Sequence, residues 1–280
     1  MSPGLARVAI LGAGRAGCAL HAALQARGYP LLLWTRSEGT AAAARQDGFS
    51  TLSGPLPGSL KEAELVFLAV NDGAVGSVAQ ALARENLVRP RAVVAHLAGA
   101  LDLEPLEPLS RLASVGSLHP LVPIASRRAT FEGAACAIES SDASAAARLE
   151  AVARDLGLSI LHPTGDRARY HAAACFVGNY PQVLMEAAVR LLQDAGLSRN
   201  EARTALGPLL RAAAENAIGR DGVDSLSGPV LRGDTEVVER HLAALRSNPA
   251  RERVLSLYRA AAALAAEMTG ERADAIARLL

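Results

Sequence analysis

The chain has 280 residues, 50% of them hydrophobic but only 3% aromatic, and a formal net charge of +1. That is enough apolar material for two cores packed mainly from Ala, Leu and Val. The near-neutral charge and the lack of a dense basic run argue against nucleic-acid binding. No apolar stretch reaches the roughly 18 residues that a membrane span requires. Cys18, Cys136 and Cys175 lack metal-ligand spacing, so no metal site is expected, and they read as reduced thiols of a cytoplasmic protein. The first apolar run starts so close to Met1 that no signal peptide is expected.

Strands and helices alternate through the first half. Val8-Ala9-Ile10-Leu11 is an apolar strand leading into Gly12-Ala13-Gly14-Arg15-Ala16-Gly17, and Cys18 to Ala26 can be a helix. Leu31-Leu32-Leu33-Trp34 is a second strand, ending in Thr35-Arg36-Ser37, and Thr40 to Gln46 is an Ala-rich helix. Ser53 to Ser59 reads as a Gly/Pro-rich loop. Leu65 to Val70 and Ala92 to Leu97 are continuous apolar runs, as parallel strands covered on both faces should be. Asn71-Asp72-Gly73 ends the first of these, and Ala74 to Glu85 follows as a helix that Asp72 could cap. Val115 to Leu118, Ala134 to Ile138 and Ser159 to His162 are further strands, with an amphipathic helix from Asp142 to Leu156. This is the pattern of a doubly wound, mainly parallel α/β sheet of Rossmann type.

The pattern changes near Thr164-Gly165-Asp166, and only helices are expected beyond it. Asp166 can cap a long helix to about Ala195, kinked by Pro181 and stopped by Gly196. Ser198 caps another to Ala217, with a bend expected at Gly207-Pro208. Asp221 to Gly233 is a loop, Asp234 caps a helix to Arg246, and Pro249 opens a last one, Arg251 to Thr269. The expected domains are therefore residues 1–163, α/β, and residues 164–280, all-α.

A strand, a G-x-G-x-x-G turn, a helix and a second strand ending about 20 residues later form a dinucleotide-binding context. The first glycine permits the tight turn, the second lets the backbone approach a pyrophosphate, and the third lets helix and strand pack closely. The helix then offers its free N–H groups and positive dipole end to the phosphates. NAD would call for a carboxylate at the end of the second strand. The chain has none between Leu31 and Ser37, and offers Thr35, Arg36 and Ser37, which suit a 2′-phosphate. The expected cofactor is NADP(H), held by Gly12, Ala13, Gly14, Arg15, Ala16, Gly17, Thr35, Arg36 and Ser37, with Val70, Asn71 and Asp72 nearby.

On the long helix, His171, Cys175 and Asn179 are spaced i, i+4, i+8, and Gln182 and Glu186 continue the stripe. A polar stripe among small apolar residues suits a cleft. Hydride transfer to C=O or C=N needs a proton donor, which a histidine can be, and Asn179 could orient the reacting atom. His171 and Asn179 are the catalytic candidates. His119, at a strand end, and Cys175, Gly228 and Arg232 are candidates for substrate contact. His96 reads as structural. Arg232 and Asp234 can equally be a salt-bridged helix start.

Together the glycine turn, Ser117-Leu118-His119-Pro120-Leu121, Tyr170-His171-Ala172-Ala173, Asn179-Tyr180 and Ser227-Gly228-Pro229-Val230-Leu231-Arg232-Gly233-Asp234 carry a resemblance over nearly the whole chain. It resembles predicted NADP-dependent oxidoreductases that join a Rossmann-like domain to a helical domain of unknown function. More distantly it is similar to pyrroline-5-carboxylate reductase, ketopantoate reductase and the 6-phosphogluconate and β-hydroxyacid dehydrogenases. The resemblance implies an NADP(H) site and a homodimer formed through the helical half; it brings no substrate, and a small carbonyl or imine molecule is expected from the hydride chemistry alone. The chain departs from the β-hydroxyacid dehydrogenases in having no lysine on the long helix, its one lysine being Lys61, and Ala98 stands where the resembled family often has serine. An NADP-binding sensor or assembly protein without turnover is the alternative reading, and a deazaflavin-linked reductase a third, by analogy of fold alone.

Overall fold

The computed structural model describes residues 5–270 and 274–280; residues 1–4 and 271–273, at the edges of the two expected domains, lie outside the described residues. In chain order the first unit runs β1 (Val8–Leu11), α1 (Arg15–Ala26), β2 (Leu31–Thr35), α2 (Glu38–Gln46), β3 (Leu52–Ser53), β4 (Leu65–Leu68), α3 (Val75–Arg84), β5 (Val93–His96), β6 (Ser114–Pro120), β7 (Ala135–Ser140), α4 (Ala143–Asp155), β8 (Ser159–Leu161) and α5 (Arg167–Gly178). The strands form one sheet in the order β3-β2-β1-β4-β5-β6-β7-β8. Its pairs are parallel except β6 with β7.

The strand sequences read as unbroken apolar runs because both faces are covered. Val8 and Ile10 of β1 enter one core with Leu20, Leu24, Phe67 and Leu149. Ala9 and Leu11 enter the other, with Val66, Leu68, Val75 and Leu82. Period-2 alternation thus sends neighbours to opposite faces, each filled from its own helices. The chain moves outward from β1 to β2 and β3, then crosses back to β4 on the other side of β1, so the carboxyl ends of β1 and β4 flank a crevice at the point where strand order reverses.

Several elements differ from expectation. β3 lies at the head of the segment expected to be loop; its two residues pair with the end of β2. Asp72 does not cap α3: it opens a single 3₁₀ turn, and α3 starts after Ala74 without a side-chain cap. The long helix expected from Asp166 to Ala195 is two helices, α5 and α6 (Tyr180–Asp194), divided at Asn179. Pro181 has no N–H for the Val177 carbonyl, and the helix breaks just ahead of it, at Asn179.

By compactness the chain divides at Tyr180/Pro181, which counts α5 with the sheet. The second unit contains α6, α7 (Arg199–Gly219), α8 (Pro229–Arg232), α9 (Thr235–Arg246), α10 (Glu252–Thr269) and α11 (Asp274–Ala277). Ser198 and Glu201 form a capping box at the start of α7, and Pro208 lies inside that helix without ending it. Asp234 precedes α9, but its side chain makes no capping bond. The core of this unit is small, with Val238, Leu242 and Ile276 buried against Leu255 and Tyr258. Of the 21 residues of α7, Ala202 alone is buried. Among the described residues no helix is long and apolar enough to cross a membrane.

Candidate functional site

The turn after β1 meets two separate steric demands. Gly12 has φ +120°, and a Cβ there would stand 2.2 Å from the Ala69 carbonyl oxygen. A Cβ on Gly17 would stand 1.8 Å from the Gly12 carbonyl oxygen, so the helix packs on the turn only with glycine at that position. Gly14 is different, with φ −72° and no atom within 4 Å of the Cβ position. Neither backbone geometry nor protein packing requires glycine there; the position opens onto the space beyond the helix end. The N-terminus of α1 has no side-chain cap and no acidic residue in its first turn. By contrast α2, α4, α5 and α7 are capped by Ser37, Asp142, Asp166 and Ser198. The uncapped N–H groups of α1 and the space at Gly14 fit a pyrophosphate.

Two neighbouring cavities share Gly14, Ala69, Val70 and Asn71. The first, of about 340 Å³, is also lined by Gly12, Ala13, Thr35, Arg36 and Ser37. The second, of about 370 Å³, is lined by Arg15, Ala16, Asp72, Leu97, Ala98 and Ile124. Of the residues expected to hold the cofactor, only Gly17 lines neither; it is buried beneath the turn. Arg36 is exposed at the mouth. The Ser37 hydroxyl accepts from Thr40 N at 3.3 Å, capping α2. Glu38, the first carboxylate past the strand, is engaged by Arg45 at 2.7 Å and by the Ser53 hydroxyl. Those two bonds, Ser53 first, hold its carboxyl below the usual range. The first carboxylate past β2 is thus already partnered.

The second cavity ends at Leu97 and Ala98, and the next residue, Gly99, touches a cluster of aromatic donors. A Cβ on Gly99 would stand 2.5 Å from Cδ2 of His171 and 2.7 Å from Nε2 of His119. The two imidazoles meet edge to face with centroids 5.6 Å apart. His119 Nδ1 lies 2.9 Å from the Tyr170 hydroxyl. Burial pushes the His119 pKa down to about 4, helped by His171, Arg167 and His96. His96 hydrogen-bonds the Asp102 carbonyl through Nε2 at 2.9 Å and is fully buried, which lowers its pKa; this fits the structural role expected of it.

Arg167 is 8% exposed. Its Nε donates to the Leu101 carbonyl at 3.3 Å, and its guanidinium lies 5.0 Å from the centre of the Tyr170 ring. Tyr170 and Arg167 are not among the site residues that the sequence alone picks out. The only signal for Tyr170 is its place in the Tyr-His motif; Arg167 reads like any charge in a first helical turn.

The polar stripe is only partly assembled. The Cys175 thiol lies 4.0 Å from Nε2 of His171. Asn179 sits at the helix break, exposed; its backbone N–H donates to the Cys175 carbonyl at 3.0 Å, and no hydrogen bond joins its side chain to the imidazoles. Glu186, on α6, is paired with Arg190 and Arg199 instead of extending the stripe. In the second unit, Gly228 has φ +100° just before α8, and Arg232 lies 3.9 Å from Asp234, as a salt-bridged helix start would have it.

Residues 1–120 match a Rossmann-like domain, and residues 134–265 match a domain of unknown function, DUF2520. No curated protein matches the chain. A Bacteroides fragilis structure provisionally assigned as an NADP oxidoreductase is 22% identical, covers 95% of this chain and 98% of its own, and has a TM-score of 0.74. A reductive aminase from Aspergillus terreus, solved with NADPH and ethyl levulinate, is 18% identical over 99% of this chain and 98% of its own, with a TM-score of 0.64. A pyrroline-5-carboxylate reductase from Coxiella burnetii is 18% identical over 95% and 99% respectively, with a TM-score of 0.58. At these identities the likeness is one of fold. The two domain matches follow one another along the chain and together span most of it.

Proposed function

We propose that the protein is an NADP(H)-dependent oxidoreductase transferring hydride to a small carbonyl or imine substrate. The observation that carries this reading is the continuity from the glycine turn to the imidazoles: cavities lined by the turn reach Ala98, and the adjoining Gly99 is wedged against His119 and His171. NADPH, when bound, would supply the hydride. The NADPH-bound state of the Aspergillus aminase is consistent with this choice of cofactor.

In this reading the α1 N-terminus and Gly14 hold the pyrophosphate, and Arg36 meets the 2′-phosphate. Thr35, Ser37, Val70, Asn71 and Asp72 complete the walls. His171 delivers the proton, and His119 and Cys175 contact the substrate. For Asn179 as orienting donor, and for Gly228 and Arg232 as substrate contacts, the support is the sequence motif alone. The functional boundary is taken at 163/164, where the strand pattern ends. Three free thiols suit a reducing, cytoplasmic setting.

We further propose a homodimer through the helical half. On α7, Leu209 is 66% and Ile218 is 87% exposed, and apolar surface of this kind on a long helix is usually covered by a partner. Sedimentation velocity should give a dimer, converted to monomer by Leu209→Glu with Ile218→Glu; a monomeric wild type would refute this part.

The central test is calorimetry with NADPH and NADH, followed by NADPH oxidation against aldehydes, ketones, 2-keto acids and cyclic imines. Preferred binding of NADPH and turnover of one class are expected. No heat with either nucleotide would overturn the assignment, and tight binding without turnover would favour a sensor. Full activity of His171→Ala on a turned-over substrate would remove His171 as proton donor.

A further inference from the structure

Tyr170 and Arg167 are not needed to bind a dinucleotide, yet both are built into the surroundings of His119. The Tyr170 hydroxyl lies 2.9 Å from His119 Nδ1. A half-buried phenol needs an acceptor for its proton, and Nδ1 is the acceptor within reach among the described residues. With the phenol as donor, Nδ1 accepts and carries no proton. In a neutral ring the remaining proton is then on Nε2. Burial, with His171, Arg167 and His96 around it, keeps the ring neutral down to about pH 4. Nε2 lies against Gly99, the residue that follows the cofactor-side cavity wall, and no protein acceptor among the described residues engages it.

The one permanent charge among the groups acting on this ring is the Arg167 guanidinium. On β5 and α5 the groups acting on His119 are His96, His171 and Arg167. The Arg167 guanidinium is buried, with Nη1 lacking any partner. Glu139 on β7 is the carboxylate nearest to Arg167, at 3.9 Å from Nε. It is not among the groups acting on His119. Asp72 acts on His96, and the Cys136 thiol on Tyr170. Such a site stabilises negative charge that builds up on an oxygen and disfavours a cation at the same position.

We propose that His119 Nε2–H, with its ring held by the Tyr170 hydroxyl and backed by the Arg167 guanidinium, donates to the oxygen of a neutral aldehyde or ketone, so that the site reduces carbonyl compounds and not protonated imines. This rests on the hydride-transfer reading above. The carbonyl carbon accepts hydride, the C=O π pair moves to oxygen, and that oxygen takes a proton from solvent through His171. The products are an alcohol and NADP⁺. His119 contacts the substrate; Tyr170 and Arg167 are positioning residues.

Two measurements test it. Long-range ¹H–¹⁵N correlation spectra of protein labelled in its histidines need no substrate. They should show His119 as the Nε2–H tautomer from pH 5 to 8, and Tyr170→Phe should release it into a mixture. A charged or Nδ1–H His119 at pH 7 overturns the proposal. With NADPH, kcat/KM for aldehydes or ketones should exceed that for cyclic imines by at least about 100-fold. His119→Ala should lower kcat about 100-fold with little change in KM, while His119→Gln, which keeps an N–H donor, should recover part of the loss. Preferred turnover of imines overturns the carbonyl assignment while leaving hydride transfer intact. Absence of NADPH binding overturns both.

Discussion

The two walls of the candidate site are made of different material. Around the glycine turn the wall is backbone: N–H groups, carbonyls and the absence of Cβ atoms at Gly12 and Gly17. Around Gly99 it is side chain: two imidazoles, a phenol and a guanidinium drawn from β6 and α5. A backbone wall cannot be retuned by small steps, because any added atom collides with a part of the fold. A side-chain wall can, and it responds to pH. The difference predicts where substitution removes the protein and where it only alters its chemistry.

The sharpest way to break this contrast is within the glycine turn. Gly12→Ala places a Cβ 2.2 Å from the Ala69 carbonyl oxygen on a φ of +120°, and should cost more than about 3 kcal/mol of stability in urea titration. Gly14→Ala meets no atom within 4 Å. It should cost under about 1 kcal/mol of stability while weakening NADPH binding at least about 10-fold. Equal stability losses for the two would mean that the space at Gly14 is not kept for a ligand.

The side-chain wall should show itself in acid. The His119 pKa is about 4 in the folded protein, against an ordinary value of 6.5. The unfolded chain therefore binds the extra proton first. The stabilising contribution is complete above pH 6.5 and is lost as pH falls from there toward 4. It amounts to roughly 3 kcal/mol at most. Urea midpoints measured across that window should fall less steeply for His119→Gln than for the wild type. Gly99→Ala should come next in size, at about 1–2 kcal/mol, because its Cβ presses on imidazole edges that can turn, unlike a carbonyl in a sheet. If Gly99→Ala were as damaging as Gly12→Ala, the imidazoles would be as immovable as backbone.

The same contrast explains how much of the molecule can be read from the chain. Gly12, Gly14 and Gly17 are legible because each answers a local demand within one strand–turn–helix unit. The eight strands are legible for a similar reason, except β3, whose two residues carry no periodicity of their own and exist only through the end of β2. The antiparallel direction of β7 leaves no local mark. Helix α5 reads as half of a longer one because a 3.6-residue stripe continues across Asn179; only Pro181 signals the break. The His119–Tyr170 pair spans 51 residues. Nothing at either position announces the other; the sheet has to bring the end of β6 under α5 before the two can meet.

The smallest expected effect falls on a charged side chain at the rim of the backbone wall. Arg36 is exposed at the mouth of the turn-lined cavity, where water and salt screen its charge. A guanidinium can still form two parallel bonds to a phosphate, so Arg36→Ala should weaken NADPH binding about 10-fold, near 1.4 kcal/mol, and leave NADH binding and urea stability unchanged. Added salt should narrow the NADPH–NADH difference in the wild type and do little in the variant. If the wild type bound both nucleotides equally, Arg36 would be an ordinary solvated charge. The pyrophosphate, held by N–H groups that every dinucleotide can use, would then be the whole of the recognition.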